Sequence, residues 1–241
     1  MRELEVRRLG TIGYADALAM QREVVEERRA GRVPDLLLLL QHPPVITVGV
    51  RGDGGRSNVI ASAERLRELG ITVEETGRGG DVTYHGPGQI VGYPILDLKP
   101  DRCDVHRYVR DIEDVMIRVC ADYGLAAGRI KGLTGTWIGT EQAGAAKIGA
   151  IGIRISRWIT SHGFAFNVST NLQHFQLIVP CGISDRGVTS LAHASGHDVP
   201  IEEVEDRLVH HFADVYEREV VTDERAAAVL EMRRGPLWSA S

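Results

Sequence analysis

The chain is short of the residues that mark out several classes of protein. Only three cysteines, Cys103, Cys120 and Cys181, stand among its 241 residues, an odd number with no C-x-x-C spacing. That argues against a disulfide framework and a zinc ribbon, and it fits a reducing cytoplasm. A basic excess is missing too: the formal net charge is −5, and no Lys/Arg block supplies a field for nucleic acid. Long apolar runs are absent. The longest, Leu36–Leu40, is too short to span a bilayer and suits a buried strand. The opening Met1-Arg2-Glu3-Leu4-Glu5 has no apolar signal core, so export is not expected. The nine histidines are scattered; only His210 and His211 are adjacent, on a helix where neighbours point apart, so no metal site is expected. There is no internal repeat, low-complexity run or obvious linker.

What is present describes an ordinary soluble protein, 43% hydrophobic and 25% charged, of a length one mixed-sheet domain can fill. Residues 14 to 29 read as a helix with Tyr14, Ala17, Leu18, Gln21 and Val25 on one face, ended by Gly31 and Pro34. Leu36–Leu40 and Val45–Val48 read as strands, with His42 in the break between them. Arg51 to Asn58 reads as a mobile loop, Ser62 to Leu69 as a short helix, and Ile71–Thr76 as a strand. Ile90 to Leu98 is an apolar strand whose Gly92 and Pro94 place it near an edge. Asp104 caps a helix running to about Tyr123, with a stripe of Val105, Tyr108, Val109, Ile112, Val115, Met116 and Val119. Strands follow at Thr136–Ile138, Lys147–Ser156 and His162–Val168, and a last helix from Glu202 to about Tyr216. Helices and strands mix without a strict βαβ rhythm, which favours α+β, a mixed or antiparallel sheet with packed helices. Residues 1–220 form the expected domain, and 221–241 a tail or weakly packed helix.

The stretch Arg78-Gly79-Gly80-Asp81-Val82-Thr83-Tyr84-His85-Gly86-Pro87-Gly88-Gln89 combines a short strand with glycines that let a ligand approach the backbone closely. A hairpin needing glycine at its turns is the plainer reading. Cys181, between Pro180 and Gly182, is the best candidate nucleophile, because a sharp turn can present a thiol and a nearby cation raises its thiolate fraction. On local sequence alone a buried structural cysteine fits as well. Lys147 heads an apolar strand and is either a solvated strand end or a cation aimed at a site beside the sheet. Cys120 lies on a helix flank, where a buried inert thiol is the ordinary reading.

Four motifs in order, Arg78 to Gln89, Lys147-Ile148-Gly149-Ala150-Ile151-Gly152-Ile153-Arg154, His162-Gly163-Phe164-Ala165-Phe166-Asn167 and Pro180-Cys181-Gly182-Ile183, resemble the octanoyltransferases of lipoate biosynthesis (lipoate–protein ligase B type). The resemblance covers roughly residues 4 to 217 and is far more specific than one glycine cluster. It implies an α+β fold related to the catalytic domains of biotin and lipoate ligases. It also implies transfer of an octanoyl or lipoyl group from octanoyl-acyl carrier protein to a lipoyl-domain lysine, with no cofactor. Acceptors on that basis are the lipoyl domains of 2-oxoacid dehydrogenase E2 subunits and the glycine cleavage H protein. The resemblance puts the acyl-thioester on Cys181 and a pKa-lowering lysine at Lys147. It puts substrate contacts on Arg78, Gly79, Gly80, Asp81, Val82, Thr83, Tyr84, His85, Ala150, Ile151, Gly152, His162, Gly163 and Phe164.

The small residues Gly79, Gly80, Ala150 and Gly152 suit a narrow apolar slot. Arg51, Arg56, Arg154 and Arg157 are candidates for a basic patch facing an acidic carrier. Two other readings remain open. An ATP-dependent lipoate or biotin ligase shares the fold and a strand lysine but needs no cysteine. A non-catalytic relative that binds a lipoyl domain or fatty chain has no use for Lys147 and Cys181 together.

Overall fold

A computed structural model describes residues 2–50, 55–140, 144–179 and 187–225. The first half of the chain forms β1 (Arg2–Thr11), α1 (Tyr14–Arg29), β2 (Asp35–Gln41), β3 (Val45–Val48), α2 (Ala63–Glu68), β4 (Thr72–Glu75), β5 (Val82–His85) and β6 (Gln89–Ile95). Then come α3 (Val105–Asp122), β7 (Ala127–Ile130), β8 (Leu133–Ile138), β9 (Ala146–Ser156) and β10 (Ile159–Asn167). The last elements are β11 (Gly187–Val188), α4 (Leu191–Ser195), α5 (Ile201–Tyr216) and β12 (Arg218–Arg225). The large sheet runs β12-β1-β2-β6-β10-β9-β8-β7, with β11 beside β9, and a small sheet runs β4-β3-β5. β12, β1 and β2 are parallel, and the ladder from β2 to β7 is antiparallel. The architecture is α+β.

None of the side chains Leu36 to Leu40 is accessible to solvent. Leu37 and Leu39 enter the core beneath α3 and α5, while Leu36, Leu38 and Leu40 enter a second core beneath α1. A strand covered on both faces is a continuous apolar run, not an alternating one. α3 supplies Tyr108, Ile112, Val115, Met116 and Val119 to the first core, and the Asp104 carboxylate caps it by accepting from the His106 and Arg107 N–H groups. Its Val105 is exposed and Val109 only half buried, so the predicted stripe is longer than the packed one.

β6 is not near an edge; it lies between β2 and β10. Its Pro94 has no N–H to donate, and the β6–β10 ladder stops at Gly92↔Phe164 and resumes only as a bridge at Asp97↔Ile159. The Thr160 hydroxyl fills the gap, donating to Pro94 O at 2.7 Å and accepting from Leu96 N at 2.9 Å. Proline is tolerated in a central strand here because a side chain from the neighbour replaces the missing rung.

The expected tail at 221–241 is corrected at its start. Residues 221–225 belong to β12, which pairs in parallel with β1; residues 226–241 lie outside the described residues. No helix among the described residues is long and apolar enough to cross a membrane.

Candidate active site

The glycine-rich stretch links β4 to β5, and Arg78 fixes its shape. The guanidinium is buried and donates to Thr47 O (2.7 Å), Thr47 Oγ1 (2.9 Å), Gly79 O (3.0 Å) and Asp81 O (2.8 Å). Its donors hold backbone, so Arg78 shapes the loop and places a fixed positive charge behind it. The loop docks on the large sheet through the Gly79 N–H, which donates to Ile153 O at 2.9 Å. Gly152 makes that docking possible, since a Cβ there would stand 2.9 Å from Gly79 O. These glycines therefore serve backbone-to-backbone packing of the two sheets as well as leaving space beside it.

Between these parts lies a cleft of about 900 Å³, in the range of small-molecule sites. Arg78, Gly79, Gly80, Asp81, Val82, Thr83 and His85 line it from the stretch, Lys147, Ala150, Ile151 and Gly152 from β9, and His162, Gly163 and Phe164 from β10. Tyr84, named with them, is not among the residues that line the cleft. Its ring is buried between Val82, Ile46 and Phe175, and its hydroxyl meets His174 Nδ1 at 2.7 Å. Along β5, Thr83 and His85 take the cleft side and Tyr84 the other, while Val82, on the face of Tyr84, still borders the cleft at the strand's first position. Cys181 falls within 180–186, outside the described residues. That segment is bracketed by Val179, whose N–H donates to Asn58 O, and by β11, where Gly187 and Val188 pair with Ala146 and Lys147.

His162 reaches the wall through an irregularity in β10. Its φ is 55°, and its N–H donates to Gln21 Oε1 of α1 at 2.8 Å instead of joining the ladder opposite Pro94. Gly163 follows because any Cβ would strike Gly92 O, and Gly92 because the Phe164 ring lies across it. Burial, with the charges of Arg78, Arg154 and Arg22, pushes the His162 imidazole down to about 4. It is neutral, and its Nδ1 has no hydrogen-bond partner among the described residues.

His85 is also neutral but fully engaged. Burial, aided by His42, pushes it down to about 3. Nδ1 meets Gln89 Oε1 at 2.7 Å, while Gln89 Nε2 donates to Asn167 Oδ1 at 2.8 Å and Tyr84 O at 3.2 Å. Gln89 therefore accepts from a Nδ1–H tautomer, and His85 Nε2 faces the Thr47 hydroxyl at 3.4 Å. Asn167 Nδ2 donates on to Thr189 O at 3.0 Å, and Thr189 N to Lys147 O at 2.9 Å. A polar chain thus runs from the glycine-rich stretch to the strand that follows residues 180–186. From the sequence, Gln89 and Asn167 stand only as the closing residues of two motifs, and Thr47 is not singled out. A threonine inside Val45–Val48 and an asparagine ending β10 were the available signals.

Lys147 is half buried, and its Nζ lies 4.6 Å from the centroid of the Trp137 ring. Val105, Val109, His106 and Arg110 of α3 line the cleft as well. Of the basic candidates, Arg56 lies 3.3 Å from Glu75, and the Arg154 guanidinium lies against Gly77. Arg51 lies outside the described residues.

Residues 13–213 match the model of the lipoyl protein ligase A/B catalytic domain. An octanoyltransferase of Solibacter usitatus is 49% identical over 95% of this chain and 100% of its own length. One of Myxococcus xanthus is 51% identical over 92% of this chain, which spans 62% of that longer protein. A structure described as that of an archaeal lipoylation system, a bipartite lipoate protein ligase and its E2 lipoyl domain from Thermoplasma acidophilum, superposes with a TM-score of 0.68 at 16% identity, covering 99% of this chain and 96% of that one. That likeness speaks to the fold alone. With the catalytic-domain match spanning most of its length and relatives near half identity end to end, the chain belongs to the octanoyltransferases of the lipoyl protein ligase A/B catalytic-domain family.

Proposed function

We propose that octanoyl transfer in this protein runs through a thioester on Cys181, with octanoyl-acyl carrier protein as donor and a lysine of a lipoyl domain as acceptor. The observation that supports it best is the cleft, which brings three of the four family motifs, Lys147 among them, to a pocket with an apolar wall. β11 adds to this, since the segment carrying Cys181 leads directly into the residues paired with Ala146 and Lys147.

The thiolate of Cys181 attacks the donor's carbonyl carbon, the carbon–sulfur bond to the carrier breaks, and the departing carrier sulfur takes a proton from the Lys147 ammonium, which leaves Lys147 as the neutral amine. The acceptor amine then attacks the acyl-cysteine, Cys181 departs as thiolate, and the amine's proton passes to Lys147 in its neutral form. As a cation before the first step and again after the second, Lys147 stabilises the thiolate of Cys181. His162 Nδ1 meets the polar end of the acyl group, and Ile151 and Phe164 pack its chain.

Intact mass after mixing the protein with octanoyl-carrier, without ATP, tests the route. An octanoyl adduct on the native chain, lost in Cys181→Ser, is the expected result. Transfer that requires ATP points to the ligase reading instead, and an adduct that persists in Cys181→Ser removes the assignment.

A further inference from the structure

Groups outside the family motifs frame Lys147, two of them against its side chain and a third that braces one of these from behind. Trp137 on β8 is its cross-strand partner, set opposite it by a shift of register between Thr136 and Trp137. Such an irregularity re-aims a side chain, here bringing the indole face under the ammonium, 4.6 Å from centroid to Nζ. The ring is 2% exposed and wedged among Ile130, Leu133 and Ala145, so it does not yield.

Gly135 supplies the second side. It has φ +123°, and a Cβ there would lie 3.3 Å from Lys147 Cε and 2.6 Å from Gly149 O, so the lysine stem runs through the space a side chain would fill. Gly135 is braced in turn. Glu113 of α3, fully buried, accepts from Gly135 N at 2.9 Å and from Arg129 Nε at 3.0 Å, pinning the β7–β8 hairpin to the helix.

We propose that Trp137 is a positioning residue for Lys147, its ring face fixing the ammonium at the cleft and favouring the charged form over the free amine. A quadrupole attracts the cation and not the neutral amine, so the ring acts on the resting charge state as well as on position. The functional consequence rests on the assignment of Lys147 under "Proposed function"; the contact itself does not.

The test compares Trp137→Leu and Trp137→Phe with the native chain by two measurements. The first is the rate at which acetic anhydride acetylates Lys147, followed by peptide mass spectrometry from pH 6 to 10. The second is the pH profile of octanoyl transfer. In Trp137→Leu, acetylation of Lys147 at pH 8 is expected to rise about threefold or more, relative to Lys99 in the same sample, with its profile moved to lower pH. Trp137→Phe keeps a ring and most of the packing, so it should move the same way by less. The transfer profile should shift in the same order. Unchanged Lys147 acetylation in Trp137→Leu, or a shift no larger in Trp137→Leu than in Trp137→Phe, would overturn the proposal. A graded acetylation shift with an unmoved transfer profile supports the contact and removes the catalytic reading of Lys147 instead.

Discussion

A methyl group on Gly152 would stand 2.9 Å from the carbonyl oxygen of Gly79 and 3.1 Å from Arg78 Cδ. Both are held, the one by the loop's bond to Ile153 and the other by Thr47, so neither neighbour can give way cheaply. Gly152→Ala is expected to destabilise the fold by about 1–3 kcal/mol and to lower transfer by more than its loss of folded protein explains. Gly128→Ala, where nothing lies within 4 Å, is the control. Urea denaturation beside steady-state transfer checks both, and equal behaviour of the two variants would count against sheet docking at Gly152.

Acid should weaken the fold through His85 and His162. Burial holds both imidazoles below their unfolded values, at about 3 and about 4, so the unfolded chain binds more protons below about pH 6.5. Their contribution is fully present above that pH and is lost as pH falls toward 4. The slope is at most about 1.4 kcal/mol per pH unit for each histidine. Urea midpoints at pH 7, 6 and 5 should fall steadily, and His162→Gln should flatten the fall.

Asp35 gathers three donors, Arg28 Nε at 2.8 Å, Arg218 Nε at 2.9 Å and Asp97 N at 3.0 Å, with almost no exposure. Removing a carboxylate that faces a buried guanidinium leaves charge without compensation, which costs about 3–5 kcal/mol. Asp35→Ala should therefore unfold far more readily than Arg28→Ala, and limited proteolysis should open the chain near Arg218. A melting temperature unchanged from the native chain would show that the pair is dispensable.

The thiols should react in a fixed order. Burial pushes Cys120 up to about 12, and it has no exposure, whereas Cys103 is exposed. Iodoacetamide at pH 8 should label Cys181 first if it is the activated nucleophile, Cys103 next, and Cys120 only after denaturation. Early labelling of Cys120, read by peptide mass, would contradict its burial.

Much of this was readable from the sequence where a residue's role is local. Leu36–Leu40 announced a doubly covered strand, Asp104 a helix start, and the glycine crowd at 79–80 a close backbone approach. The misreadings were mostly of long-range origin. Pro94 signals an edge unless Thr160, distant in sequence, supplies the missing rung. β1 and β12 each carry charged residues among their valines and leucines, and they become strands because each offers the other an edge. Tyr84 was grouped with its neighbours by motif, although strand alternation alone would have turned it away. Trp137 drew no notice, because nothing in its own segment says that a lysine lies across from it.

The pairing of β1 with β12 has a consequence for how the molecule is made. Leu4 and Val220 are neighbours in the finished sheet, so β1 keeps one bare flank until residues 218–225 have emerged from the ribosome. A chain stopped just after α5 would expose that flank to any passing strand. Truncated or slowly translated forms should thus be found in aggregates before they are found inactive.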